Sequence, residues 1–210
     1  MRQRVDGGFK IVVIHTLSHP RATFATMDRQ DDGPRQQTGA ELHERQQRVR
    51  ALHLPAAPAI VTVGLSTPEN LGSVLRVADA AASSEVLIVD APAPALAKMH
   101  RVARSTDRII PWHFCSQEEV AARIQVPLIA IELTTSSTSL FETELPQACA
   151  FVLGGERHGV PQTMLARCER AVHIPMFGVN GSMNVTHALA IALFEWRRRF
   201  SSEVPLTTSK

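Results

Sequence analysis

Ile174-Pro175-Met176-Phe177-Gly178-Val179-Asn180-Gly181-Ser182-Met183-Asn184-Val185 joins the end of an apolar strand to the start of a long helix over 184–200. Ile-Pro stops the strand, an irregular loop follows, and Ser182 or Asn184 can cap the helix. Capping alone explains a Ser/Asn pair there. The other explanation is a set of donors at a helix N-terminus that face a ligand. Working back from this stretch, strands are expected at 171–174, 150–153, 127–133, 109–112, 85–90 and 59–64. Helices are expected between them at 160–167, 117–124, 95–104 and 70–82. Such alternation predicts an α/β fold, a mainly parallel sheet with helices on both faces.

Ligands of open α/β sheets bind at strand-to-helix transitions, and two more transitions carry unusual residues. Pro68-Glu69-Asn70-Leu71-Gly72-Ser73-Val74-Leu75-Arg76 follows the first strand of the alternation. Asn70 suits a helix cap. Arg76 sits among apolar neighbours and is expected to need a partner, because an unpaired buried charge is costly. An ordinary salt bridge satisfies that need, and so does a phosphate or a hydroxyl. Leu153-Gly154-Gly155-Glu156-Arg157-His158-Gly159-Val160-Pro161 follows the strand at 150–153. Its glycines suit either a tight turn or close approach of a ligand to the backbone. The segment is not GxGxxG with a downstream acid, which argues against a dinucleotide-binding dehydrogenase.

In this order and placement the three segments resemble the motifs of the TrmH (SpoU) branch of SPOUT methyltransferases. Asn70, Gly72 and Arg76 match N-x-G-x-x-x-R; Gly154, Glu156 and Gly159 match G-x-E-x-x-G. The third segment is similar to I-P-M-x-G-x-x-x-S-L-N-V, with Met183 where Leu is usual. The resemblance covers about residues 55–200. It implies a C-terminal deep trefoil knot, S-adenosylmethionine as methyl donor without a metal, and transfer to a ribose 2′-hydroxyl of RNA. It implies donor binding by Leu133, Gly154, Gly155, Ile174, Met176, Ser182 and Met183. It implies catalytic roles for Arg76, Asn70, Glu156, Ser182 and Asn184, the last three orienting Arg76 or the substrate. Arg is effectively always protonated, so Arg76 is expected to position phosphate and hydroxyl rather than act as base. The family is generally homodimeric, which places Ala188, Ile191, Ala192 and Glu195 near an interface, unless these positions serve the core of their own chain. A non-catalytic RNA-binding or assembly factor with the same fold is the alternative, and the intact motif residues argue against it.

The remaining sequence bounds these readings. The 210 residues divide into an extension over 1–39, a leading helix over 40–54 with Leu42, Val49 and Leu52 near one face, the domain at 55–200, and a tail at 201–210. Phe9–His15 reads as a short strand within a polar, flexible extension. Net charge is only +2, yet Arg outnumbers Lys by 19 to 3, which suits phosphate contacts as well as a compositional bias. Arg2, Arg4, Arg21, Arg29, Arg35, Arg45, Arg48, Arg50 and the run Arg197–Arg199 are candidates for such contacts, unless the former belong to a solvated tail and the latter only complement the helix dipole. Cys115, Cys149 and Cys168 have no metal or disulfide spacing. No apolar run reaches membrane-span length, and a cytoplasmic protein is expected. The minimal domain favours tRNA over rRNA as substrate, by analogy alone.

Overall fold

The computed structural model describes residues 34–52, 54–91 and 96–201. The predicted strand over 9–15 and the arginines before residue 34 lie outside them. The chain divides into a unit ending at Leu42 and a unit from His43 onward. In the first, Glu41 accepts hydrogen bonds from the Thr38 amide (2.7 Å) and the Arg35 guanidinium (2.6 Å). The leading helix, α1 (Gly39–Ala51), has no buried residue. Leu42 and Leu52 are exposed.

The second unit contains β1 (Ala59–Val63), α2 (Pro68–Ala81), β2 (Val86–Val89), α3 (Leu96–Ala103), β3 (Trp112–Cys115), α4 (Gln117–Arg123) and β4 (Leu128–Ile131). It continues with β5 (Thr138–Ser139), β6 (Ala150–Gly154), α5 (Gln162–Leu165), β7 (Arg170–His173) and α6 (Val185–Phe200). Every strand pairing is parallel, in the order β3-β2-β1-β6-β4-β7-β5. β1, β2, β4 and β6 are buried along their whole length, as continuous apolar runs in a sheet covered on both faces require. One core cluster gathers α2, α3 and α6 on one face of the sheet. The other gathers Val120 of α4 and Met164 of α5 on the opposite face.

Three local details set the placement of α2 and α6. Pro68 opens α2 with its φ already helical and no amide to satisfy. The cap is Thr67, whose side chain makes no capping bond, so Asn70 is not a cap but lies one turn inside. Gly72 lets α3 approach α2, since a Cβ there would stand 2.6 Å from the Met99 carbonyl oxygen. α6 buries Leu189, Ala192, Leu193 and Trp196 at helical spacing. Its Arg197 donates to the carbonyls of Ala81 (2.7 Å) and Ala82 (3.2 Å) at the C-terminus of α2 and to that of Pro55 (2.7 Å) ahead of β1. Arg199 reaches the carbonyls of Leu140 (2.8 Å) and Thr143. Two of the three basic residues at this helix end are therefore turned onto the backbone of their own chain. Ala192 and Glu195 are likewise buried within their own chain.

The strand expected at 109–112 begins only at Trp112, because residues 106–108 form a 3-10 turn and Ile110 is drawn into the core. The two-residue β5 is not evident from the sequence pattern.

Candidate active site

The C-terminal ends of β1, β6, β4 and β7 lie side by side, where the strand order changes direction between β1 and its two flanks. A cleft of about 770 Å³ opens there. Its lining includes Leu133 beyond β4, Gly154, Gly155 and Glu156 beyond β6, Ile174 and Met176 beyond β7, and Ser182, Met183 and Asn184 ahead of α6. Nine of the predicted site residues thus meet around one cavity, although they come from three segments far apart in the chain.

Glycines form one wall because the backbone leaves no room for anything larger. A Cβ on Gly154 would stand 1.8 Å from the carbonyl carbon of Gly159. On Gly155 it would stand 2.4 Å from the Gly64 oxygen. Gly159 has φ +62°, a left-handed value suited to glycine. The turn closes with a bond from the Gly159 amide to the Gly155 carbonyl (3.0 Å).

A hydrogen-bonded chain of side chains ties the three sequence segments together. Asn70 Nδ2 donates to Glu156 Oε1 at 2.8 Å. Asn184 Nδ2 donates to Asn70 Oδ1 at 3.2 Å. Asn184 Oδ1 meanwhile accepts from the Thr186 amide (2.8 Å) and caps α6, so the capping explanation holds and the same side chain also serves the cluster. Burial opposes the charge on Glu156. Hydrogen bonds from the Thr67 side chain, its own backbone, Asn70 and the Ser66 backbone outweigh that burial and hold the carboxyl below its ordinary range.

Arg76 is not part of this cluster. Six residues along α2 turn the helix through about 600° and advance it about 9 Å, so Arg76 and Asn70 leave different faces. Arg76 is exposed and, among the described residues, has neither a hydrogen bond nor an ion pair. Among the described residues Arg76 has no buried partner, and it makes no hydrogen bond to Glu156, Ser182 or Asn184.

Two cleft residues escaped the sequence reading. Glu132 Oε2 accepts from the Val160 amide (2.9 Å) and Oε1 from the Leu133 amide (3.0 Å), which fastens the glycine turn to the end of β4. His173, at the end of β7, has Nδ1 3.1 Å from the Ser137 hydroxyl. A single Glu or His at a strand end carries no local signal, since its partners are 28 and 36 residues away.

Beside the cleft, Phe177 and Val179 are 97% and 105% exposed. Among the described residues no cluster of three His, Cys, Asp or Glu side chains could hold a metal. Burial pushes the thiol of Cys149 up to about 12 and that of Cys168 up to about 11, so neither is a nucleophile at neutral pH. No described helix is long and apolar enough to cross a membrane.

Residues 57–194 match the SpoU rRNA Methylase family. The 23S rRNA (guanosine-2'-O-)-methyltransferase RlmB of Vibrio vulnificus is 30% identical over 154 residues, which cover 70% of this chain and 62% of that protein. An AdoMet-bound rRNA methyltransferase from Sinorhizobium meliloti superimposes with a TM-score of 0.63 at 25% identity, over 72% of this chain and 60% of that one. A solved RNA 2'-O ribose methyltransferase does so with a TM-score of 0.62 at 31% identity, over 69% and 57%. The chain spans less than two thirds of the length of the RlmB proteins it matches.

Proposed function

The chain belongs to the SpoU rRNA methylase family, and from that premise we propose that it transfers a methyl group from S-adenosylmethionine to a ribose 2′-hydroxyl of structured RNA. The observation that carries this reading is the Glu156–Asn70–Asn184 chain at the rim of a glycine-walled cleft.

The cleft suits the donor. About 770 Å³ is within the usual range for small-molecule sites. Ile174, Met176, Met183 and Leu133 offer apolar walls for an adenine. Gly154 and Gly155 expose backbone groups that a side chain would otherwise cover. When bound, S-adenosylmethionine supplies a methyl group activated by its sulfonium.

The side chains then have separable tasks. Glu156, held as a carboxylate, is a weak base and an acceptor only, so it orients the 2′-hydroxyl by accepting its hydrogen bond. Asn70 and Asn184 fix that carboxylate. Ser182 adds a hydroxyl to the same cleft. Arg76 binds an RNA phosphate and stabilises the alkoxide charge that would develop as the hydroxyl proton passes to bulk water and the methyl group leaves S-adenosylhomocysteine behind. Since Arg76 faces away from its own cleft, we place it in the site of a second copy, with the exposed faces of α2 and α6 forming a homodimer. Exposed Phe194 on α6 supports such an interface. The trefoil-knotted path for the C-terminal part is carried over from the family resemblance alone. The enzyme would act in the cytoplasm.

The preference for tRNA draws no specific support, because the RlmB relatives are named for 23S rRNA. The test is incubation with labelled S-adenosylmethionine and total RNA, separation of tRNA from rRNA, and digestion to nucleosides. Label in a 2′-O-methylnucleoside is expected, and the labelled fraction identifies the RNA class. Donor binding without label on any RNA would favour the non-catalytic alternative. Stabilisation by NAD alone would remove the reading altogether.

A further inference from the structure

The sheet ends at β3, and this edge carries chemistry that the cleft does not use. Trp112 and Phe114 are two residues apart and so leave the same face of the strand. Their rings meet edge to face, with centroids 5.6 Å apart. The His100 ring of α3 continues the row, 6.3 Å from Trp112. Phe114 is 46% exposed although it sits in a strand.

The row is fixed from beneath. Asp107, whose side chain is only 10% exposed, lies 2.7 Å from His100 Nδ1. The Asp107 carbonyl accepts from Trp112 Nε1 at 2.9 Å. One residue therefore orients two of the three rings.

Basic residues flank the row. Arg101, Arg104 and Arg108 are exposed and, among the described residues, lack hydrogen bonds and ion pairs. Asp107 is the only acidic residue between 96 and 115, and its carboxylate faces His100. None of the three arginines is paired with a carboxylate among the described residues. Elsewhere in the chain Arg197 and Arg199 bond backbone carbonyls, and Arg48 and Arg170 pair with glutamates.

Rigid exposed rings beside free guanidinium groups match the chemistry of an unpaired nucleotide. Bases splayed from a loop stack on aromatic or guanidinium planes, while the phosphates on either side pair with Arg. A duplex hides its base faces and would use only the charges. We propose that the α3–β3 edge is a docking surface for a single-stranded segment of RNA, distinct from the cleft, with Phe114 and His100 as the stacking platform and Arg101, Arg104 and Arg108 as phosphate contacts. This rests on the RNA-substrate reading above and names where such an RNA is held.

The test is fluorescence anisotropy of the full chain with a short labelled single-stranded RNA, and with the same strand annealed to its complement. A double variant, Arg101→Glu with Arg104→Glu, should weaken single-strand binding about ten-fold or more at low salt. It should also flatten the salt dependence by roughly 0.7 in log–log slope for each phosphate that it no longer neutralises. Phe114→Ala should weaken it about five-fold. Arg123→Glu, an exposed arginine on α4 across the sheet, is the matched control and should change binding less than two-fold. Because Trp196 is fully buried, RNA should quench emission from Trp112. S-adenosylmethionine affinity should be equal in all variants, which shows that each is folded. If the double variant and Phe114→Ala both stay within two-fold of Arg123→Glu, the surface is not a docking site. Equal affinity for duplex, with Phe114→Ala neutral, overturns the unpaired-nucleotide assignment. Loss of methyl transfer with patch binding intact would instead sink the proposed function and leave this inference standing.

Discussion

Gly154→Ala tests the geometry of the cleft wall most directly. The new Cβ would lie 1.8 Å from the Gly159 carbonyl carbon and 2.1 Å from the Val160 amide nitrogen, both backbone atoms. The turn must retreat by more than an ångström. It is held by the Gly159 amide on the Gly155 carbonyl (3.0 Å), by the Val160 amide on Glu132 (2.9 Å), and by the buried Val160 side chain. A neutral hydrogen bond contributes about 1 kcal/mol, one to a carboxylate about 2 kcal/mol. Partial exposure of a valine adds about 1 kcal/mol. The expected loss is about 4 kcal/mol, which lowers the melting temperature of a domain this size by about 8–16 °C. Gly159→Ala makes a useful contrast. Its Cβ would meet the Glu132 carboxylate at 2.3 Å, and a flexible side chain can move aside. The left-handed φ costs about 1–2 kcal/mol, on top of the bond from the Val160 amide that a displaced Glu132 gives up. Thermal unfolding with and without S-adenosylmethionine measures both variants, and Gly154→Ala should also lose the shift that the donor produces in the wild type. A Gly154→Ala protein that melts within about 2 °C of wild type, with its donor shift intact, would refute the close-approach argument.

Arg76→Ala should abolish methyl transfer while leaving donor affinity within two-fold, as read by turnover beside calorimetry; near-normal turnover removes Arg76 from the mechanism. Asn70→Ala should free Glu156 and uncouple Asn184, lowering turnover about ten-fold or more. The Glu156 carboxyl in that variant should titrate higher, nearer its ordinary value, by carbon-detected NMR. Glu195 is held down to about 2, chiefly by its hydrogen bond to Arg198, then against burial and with help from Arg199. A depressed carboxylate stabilises the fold above its unfolded pKa, and that contribution is lost as pH falls through the folded value. The wild type should therefore lose stability between about pH 4.5 and pH 2, and Glu195→Gln should show a flatter denaturation profile over that window. An equally steep profile in Glu195→Gln would discount the pair.

Much of this fold is legible in the sequence because its strands are continuous apolar runs bounded by turn residues, and β1, β2, β4 and β6 fall within two residues of their expected bounds. Gly154, Glu156, Ser182 and Asn184, from two of the motif segments, also line one cleft at the C-terminal end of the parallel sheet. What escapes the sequence is decided at a distance. Arg76 reads as buried from its neighbours, yet the helix phase turns it outward. Asn70 reads as a cap, but Thr67 and Pro68 start the helix a turn earlier. Glu132 looks like any strand-end carboxylate until the turn at 154–160 folds against it. Leu42 and Leu52 suggest an apolar stripe on α1, and nothing in the described chain covers them.

The hydrogen-bonded chain through Asn70, Glu156 and Asn184 also has a kinetic side. Its links join residues 86 and 114 positions apart. On a ribosome adding some 5–20 residues per second, several seconds separate the emergence of Asn70 from that of Asn184. Until then the glycine turn has no asparagine network to close against, and the first half of the sheet must persist without its last helix. Contacts of such long sequence separation form slowly even in a complete chain. Refolding experiments should accordingly recover far-ultraviolet ellipticity well before the capacity to bind a ligand in the cleft.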